Sequence, residues 1–189
     1  YHHVDTSWNR LLLACAFITG MASFIYEMTW IRMLNLVLGT STHAFELMLS
    51  AFITGIALGG LWIKWRIAKI ANAISYLAKI QIIMGLLALF TLPIYNTMFD
   101  LMAETLAILT KTPGGYAVFN GVSHAISLII MLPATFCAGM TLPLITTIFL
   151  DSNKGEKSIG QVYAINTLGA IFGVVVAIHV AFPALGLKG

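Results

Sequence analysis

Gly20-Met21-Ala22-Ser23-Phe24-Ile25-Tyr26-Glu27-Met28-Thr29-Trp30-Ile31-Arg32 lies inside an otherwise apolar run at 11–38. A membrane span needs about 20 apolar residues, and this run supplies them. It nevertheless carries a carboxylate and a guanidinium. A charge in hydrocarbon costs about 2.5–3.5 kcal/mol on insertion scales. Charges in such a place are expected to face a bundle interior, a wet cavity or a partner. The stretch therefore sets the fold class and marks where function could reside.

Composition points the same way. The 189 residues are 59% hydrophobic and 9% charged, whereas soluble domains carry about 25% charged residues. Mean hydropathy is +0.93. The fold class is all-α, an integral membrane helical bundle of about five transmembrane helices, with the lipid bilayer as its first partner. The net charge of +3 is too small to argue for nucleic-acid binding. Cys15 and Cys137 lie in apolar segments without metal-like spacing and read as small buried hydrophobes. No CxxC, HExxH or P-loop pattern occurs, so neither metal nor cofactor is expected. The chain opens without Met and stops without a polar tail, which reads as trimming at both ends. No cleavage site follows the first apolar run, so it is expected to be a permanent span.

Five spans are expected, in one transmembrane domain: about 11–36, 44–63, 74–93, 119–150 and 162–183. The fourth is too long for one straight span and contains Pro133 and Pro143, so a kink between them is expected. Arg10, Lys64, Arg66, Lys69, Lys154 and Lys157 fall in loops on one side, and the intervening loops carry only Lys111. The positive-inside rule makes the first side cytoplasmic, with the N-terminus inside and Gly189 outside. Residues 96–111 are not a span. Met98, Phe99, Met102, Leu106 and Leu109 form one apolar face opposite Asp100 and Glu104. An amphipathic helix lying on the outer surface or lidding the bundle, ended by Pro113-Gly114-Gly115, is expected. One short repeat is visible. Ala16-Phe17-Ile18-Thr19-Gly20 recurs as Ala51-Phe52-Ile53-Thr54-Gly55, on spans running in opposite directions. A duplicated transporter half would give a longer match, so the recurrence reads as coincidence.

Arg32 and Glu46 stand equally far from the turn near Gly39. In an antiparallel hairpin they share one depth near the outer surface, and an ion pair that fixes register is expected. A charged-ligand site at the outer mouth is the alternative. Glu27 is deeper and has no such partner. Tyr26 and Trp30 flank it at helical spacing, and a carboxylate beside two aromatics suits a cation. Protonation of Glu27, or a hydrogen bond from Asn166 or Gln81, would satisfy it equally. Gly55, Gly59, Gly169 and Gly173 form two GxxxG faces, read as helix packing. Lys79 is expected to snorkel to the inner surface. His124 and His179 are expected to make polar contacts within the bundle.

The motif Gly20, Ser23, Tyr26, Glu27, Trp30, Arg32 resembles the opening helix of bacterial membrane-embedded spermidine synthase-like proteins, also described as fused transporter/spermidine synthase. Leu38-Gly39-Thr40-Ser41-Thr42-His43-Ala44-Phe45 resembles that family's following turn, and Gly55-Ile56-Ala57-Leu58-Gly59 its second-helix glycine face. Leu132-Pro133-Ala134-Thr135 with Gly139-Met140-Thr141-Leu142-Pro143, and Tyr163-Ala164-Ile165-Asn166-Thr167-Leu168-Gly169-Ala170, resemble two later segments in the same order. The resemblance covers nearly the whole chain. It implies location in the bacterial inner (cytoplasmic) membrane and polyamine-related chemistry. Family members carry a soluble aminopropyltransferase-like domain after the membrane part, and no residue here matches it. The chain thus reads as the membrane portion, or a shortened relative, with a continuation after Gly189 expected and no catalytic residues of its own.

Three functions follow. The chain anchors a synthase-like enzyme or passes its cationic, polyamine-type ligand, with Tyr26, Glu27, Trp30, Arg32, Glu46 and Asn166 as candidate contacts. Alternatively it is a structural accessory subunit of a larger membrane complex, docked through its glycine faces and the outer amphipathic helix. The third reading is a small transporter, active as a homo-oligomer.

Overall fold

The computed structural model describes residues 6–38, 42–108, 113–151 and 157–185, and nearly all of them are helical. The long helices are α1 (Thr6–Leu38), α2 (Thr42–Arg66), α3 (Ala73–Ile108), α4 (Pro113–Asp151) and α5 (Lys157–Val176). A 3-10 turn, Ile67–Lys69, joins α2 to α3. A π-turn, Ala177–Ala181, leads from α5 into the short α6 (Phe182–Leu185). Five helical stretches are long and apolar enough to cross a membrane. The turn around Gly39, Leu109, Lys111, Lys154 and the end at Gly189 lie outside the described residues.

Two stacked cores fix the directions of the helices. In one, Trp30 and Leu34 from the end of α1 meet Ala44 and Met48 from the start of α2, Met98 and Met102 of α3, and Ile126 and Ile130 of α4. In the other, Leu12 and Ala16 from the start of α1 meet Ile63 from the end of α2, Leu77 and Ile80 of α3, Leu144 and Ile148 of α4, and Val162 of α5. Successive helices therefore run in opposite directions. α4 sits at the centre. Of its most apolar window 56% is buried, against 22–28% for the other four.

Helices that follow each other in sequence are not always the closest neighbours in space. α1 packs mainly on α5 and α2 mainly on α4, each pair parallel, while α1 and α2 touch little. Small residues make these pairings possible. Hydrocarbon gives helices no hydrophobic reason to associate, so close backbone approach must supply the attraction. Gly20 of α1 lies against the Asn166 carbonyl, and Gly173 of α5 lies against the Met21 carbonyl. In the other pair Gly55 of α2 lies against Thr135 and the Leu132 carbonyl, and Gly139 of α4 lies against the Ile56 carbonyl. The correspondence runs through the five-residue repeat. Gly20 takes the place of Gly55, Met21 that of Ile56, Asn166 that of Leu132 and Gly173 that of Gly139. One packing unit is built twice, pointing in opposite directions.

α3 corrects the expected outer helix. Residues 96–108 are not a separate amphipathic helix but the continuation of α3, which passes through Pro93 without a break. Thr91, Tyr95, Met98 and Met102 recur at helical spacing and bury one face against α1 and α4. The Tyr95 hydroxyl donates to the Met33 carbonyl at 2.9 Å. These contacts outweigh the one helical hydrogen bond that proline removes. Asp100 and Glu104 are exposed. At 36 residues, α3 is about 54 Å long at 1.5 Å per residue, well beyond a bilayer core of about 30 Å. α4 likewise stays helical through Pro133 and Pro143.

Candidate functional site

Because α1 and α2 splay apart, a cleft of about 650 Å³ opens between the two packing units. Thr19 and Ser23 of α1, Phe52 and Ile56 of α2, and Tyr163 and Asn166 of α5 are among its walls, and Lys64 is the one charged residue among the described residues that line it. A narrow recess of about 10 Å³ adjoins the cleft, with Ser23, Phe52 and Ala138 lining both. Tyr26 and Trp30 form the far wall of the recess, together with Met84 and Thr135. Helical spacing stacks the two rings, with centroids 5.6 Å apart and planes at 20°. Trp30 is buried, and its indole N–H donates to Thr91 Oγ1 at 3.4 Å. The Thr91 hydroxyl in turn donates to the Ala88 carbonyl at 2.6 Å.

Glu27 follows Tyr26 but lies outside the recess. Its Oε2 is buried and has no hydrogen-bond partner among the described residues. Neither of its expected donors reaches it. Gln81 Nε2 donates instead to Thr141 Oγ1 at 3.0 Å, and Asn166 sits two turns lower, against Gly20. The level of Glu27 can be read from the register of α1 on α5. Phe17 meets Gly169 and Met21 meets Gly173. Continued upward, that register sets Glu27 level with the π-turn, where His179 Nδ1 lies 3.1 Å from the Val175 carbonyl. α1 does touch this turn. π-turns inside helices are frequent at functional sites because they displace side chains from the regular ladder.

The remaining sequence candidates are not gathered here. Among the described residues the ion pair seen at Glu46 is with His43 rather than the expected Arg32. Glu46 Oε2 stands 3.5 Å from His43 Nδ1, one turn back on its own helix, and both groups are exposed. The His43 ring stacks on Tyr116 of α4, with centroids 6.4 Å apart. Distance from the turn sets Arg32 and Glu46 at one depth, but α1 and α2 are barely in contact. His124 differs from expectation too, because its Nδ1 is buried without a partner among the described residues. Gly55, Gly59, Gly169 and Gly173 all face backbone or Thr135 within the chain. No group of three His, Cys, Asp or Glu among the described residues could hold a metal ion.

Sequence reasoning missed Ser23, Thr135 and Lys64 as cleft residues. Ser23 sits one turn before Tyr26 and Glu27, a spacing that could have placed it on the same face. Thr135 and Lys64 enter only because α2 and α4 are partners, which no local signal reveals. Comparison with known protein families, curated proteins and solved structures finds no match.

Proposed function

We propose that this chain is the multi-pass membrane domain of a bacterial spermidine synthase-like protein, and that it holds a polyamine-type organic cation at Glu27. The observation that carries this reading is the buried Glu27 oxygen, which has no hydrogen-bond partner among the described residues. An unsatisfied buried polar atom costs about 1–3 kcal/mol, and more when charged. An ammonium group removes that cost by pairing with the carboxylate. Tyr26 and Trp30, on the same turns of α1, stack on each other in the adjoining recess. In this reading the N-terminus is cytoplasmic, because Arg10, Lys64, Arg66, Lys69 and Lys157 gather at one end of the bundle.

Spermidine titrated into the full chain reconstituted in nanodiscs tests the proposal. Glu27→Gln should weaken binding at least tenfold while thermal stability holds or rises. Equal binding by the variant would remove the site from Glu27. A second reading, an oligomeric transporter, is favoured by the packing unit that is built twice in opposite directions, since carriers are made from inverted repeats. The accessory-subunit reading is less favoured, because the glycine faces that would dock a partner are occupied within the chain.

A further inference from the structure

The basic residues around the α2–α3 connection do more than mark one side of the bundle. Arg66, Lys69 and Lys79 line one cleft of about 480 Å³, where Asn72, Ser75 and Tyr76 add neutral hydrogen-bonding groups. The local chain explains the convergence. α2 ends at Arg66, and the 3-10 turn gives way to extended backbone at Ile70, which reverses the chain within a few residues. Asn72 Oδ1 then accepts the Ser75 N–H at 2.9 Å and starts α3. Ser75 and Lys79 fall one turn apart on the same face of that helix. Arg66 is steadied by Trp62, with its guanidinium carbon 5.0 Å from the ring centroid.

The cleft is electrostatically one-sided. None of its lining residues is acidic. Among the described residues no carboxylate forms an ion pair with any of the three cations. Three like charges around one concavity repel one another, and an anion bound between them reverses the sign of that term. A phosphate group matches the arrangement better than a carboxylate, because its oxygens point in several directions toward donors on several sides. Position adds a second argument. The apolar length of α2 ends at this cleft and that of α3 begins there. The adjoining Trp62 and Trp65 are exposed, and indoles settle at the level of lipid headgroups.

We propose that this cleft binds a phosphate-bearing anion, either the headgroup of an anionic phospholipid or free phosphate. The inference is independent of Glu27 and of the polyamine reading. Its test compares the full chain in detergent with K69Q/K79Q and with a charge-matched control, R10Q/K157Q. The control residues are exposed at the same end but line no part of the cleft. Phosphatidylglycerol, phosphatidylcholine and inorganic phosphate are titrated separately. Phosphatidylglycerol, inorganic phosphate or both should bind the parent chain and the control alike. K69Q/K79Q should bind about 30-fold more weakly, from the usual worth of two basic residues beside anionic headgroups. Binding of phosphatidylglycerol alone identifies the lipid as source, and saturation by inorganic phosphate identifies the free anion. Three results overturn the proposal: binding of neither anion, equal losses in the two double variants, or phosphatidylcholine binding as tightly as phosphatidylglycerol.

Discussion

The α1/α5 and α2/α4 seams are the same arrangement made from different residues. In each, one glycine on the earlier helix admits a carbonyl from the later helix, and one glycine on the later helix admits a carbonyl in return. The second glycine is owned differently. α2 adds Gly59, which meets the Phe136 carbonyl, whereas α5 adds Gly169, which meets the Phe17 carbonyl. The surroundings differ more. α4 also packs against α1, α3 and α5, while α5 depends chiefly on α1. A seam at the centre and a seam on the flank thus share one geometry but differ in how much of the molecule relies on them.

That contrast can be broken by substitution. Gly139→Leu should have the largest effect. Its side chain would enter the Ile56 backbone, which cannot yield as a side-chain tip can, and overpacking alone costs about 1–3 kcal/mol. Because α4 organises both cores, the detergent-solubilised chain should lose its cooperative thermal transition. Gly169→Leu meets the Phe17 backbone in the same way, but its effect should be smaller. α5 should detach and become accessible to protease while α2, α3 and α4 keep their transition. Equal damage from the two substitutions would mean that the flank and centre are not separate units. The smallest effect is expected from Asn166→Leu, which gives the flank seam the residue found at the matching place in the central one. The backbone carbonyl of Asn166 makes the close approach, so the change in unfolding free energy should stay within about 0.6 kcal/mol, an average membrane side-chain hydrogen bond.

The apolar runs were legible because hydropathy reads hydrocarbon-length segments directly. The five expected spans fall within α1 to α5 and the π-turn and α6 that follow, but the helices extend further at most ends. Hydropathy stops where side chains become polar, while backbone hydrogen bonding does not. α3 illustrates this best. Pro93 and Asn96 suggested a break, yet the buried stripe of Thr91, Tyr95, Met98 and Met102 carries the helix onward. Helix pairing was not legible. Depth from a turn puts Arg32 level with Glu46 but does not say whether their helices touch. The five-residue repeat looked accidental because its match ends at Gly20 and Gly55. The packing it directs extends to Asn166 and Leu132, where the side chains differ and only the backbone is shared. Glu27 was conspicuous as a charge in an apolar run. That neither expected donor reaches it is a property of the fold, because only the fold places Gln81 on Thr141 and Asn166 beside Gly20.

Trp30 gives the bundle an internal optical window. Of the four tryptophans, Trp8, Trp62 and Trp65 are 40–67% exposed, and Trp30 is 4% exposed. Its emission is therefore set by the recess wall and by the Thr91 hydroxyl that accepts its N–H. Quenchers dissolved in water or carried on lipid tails should silence the other three indoles first. The light that survives reports from the turn of helix that carries Glu27.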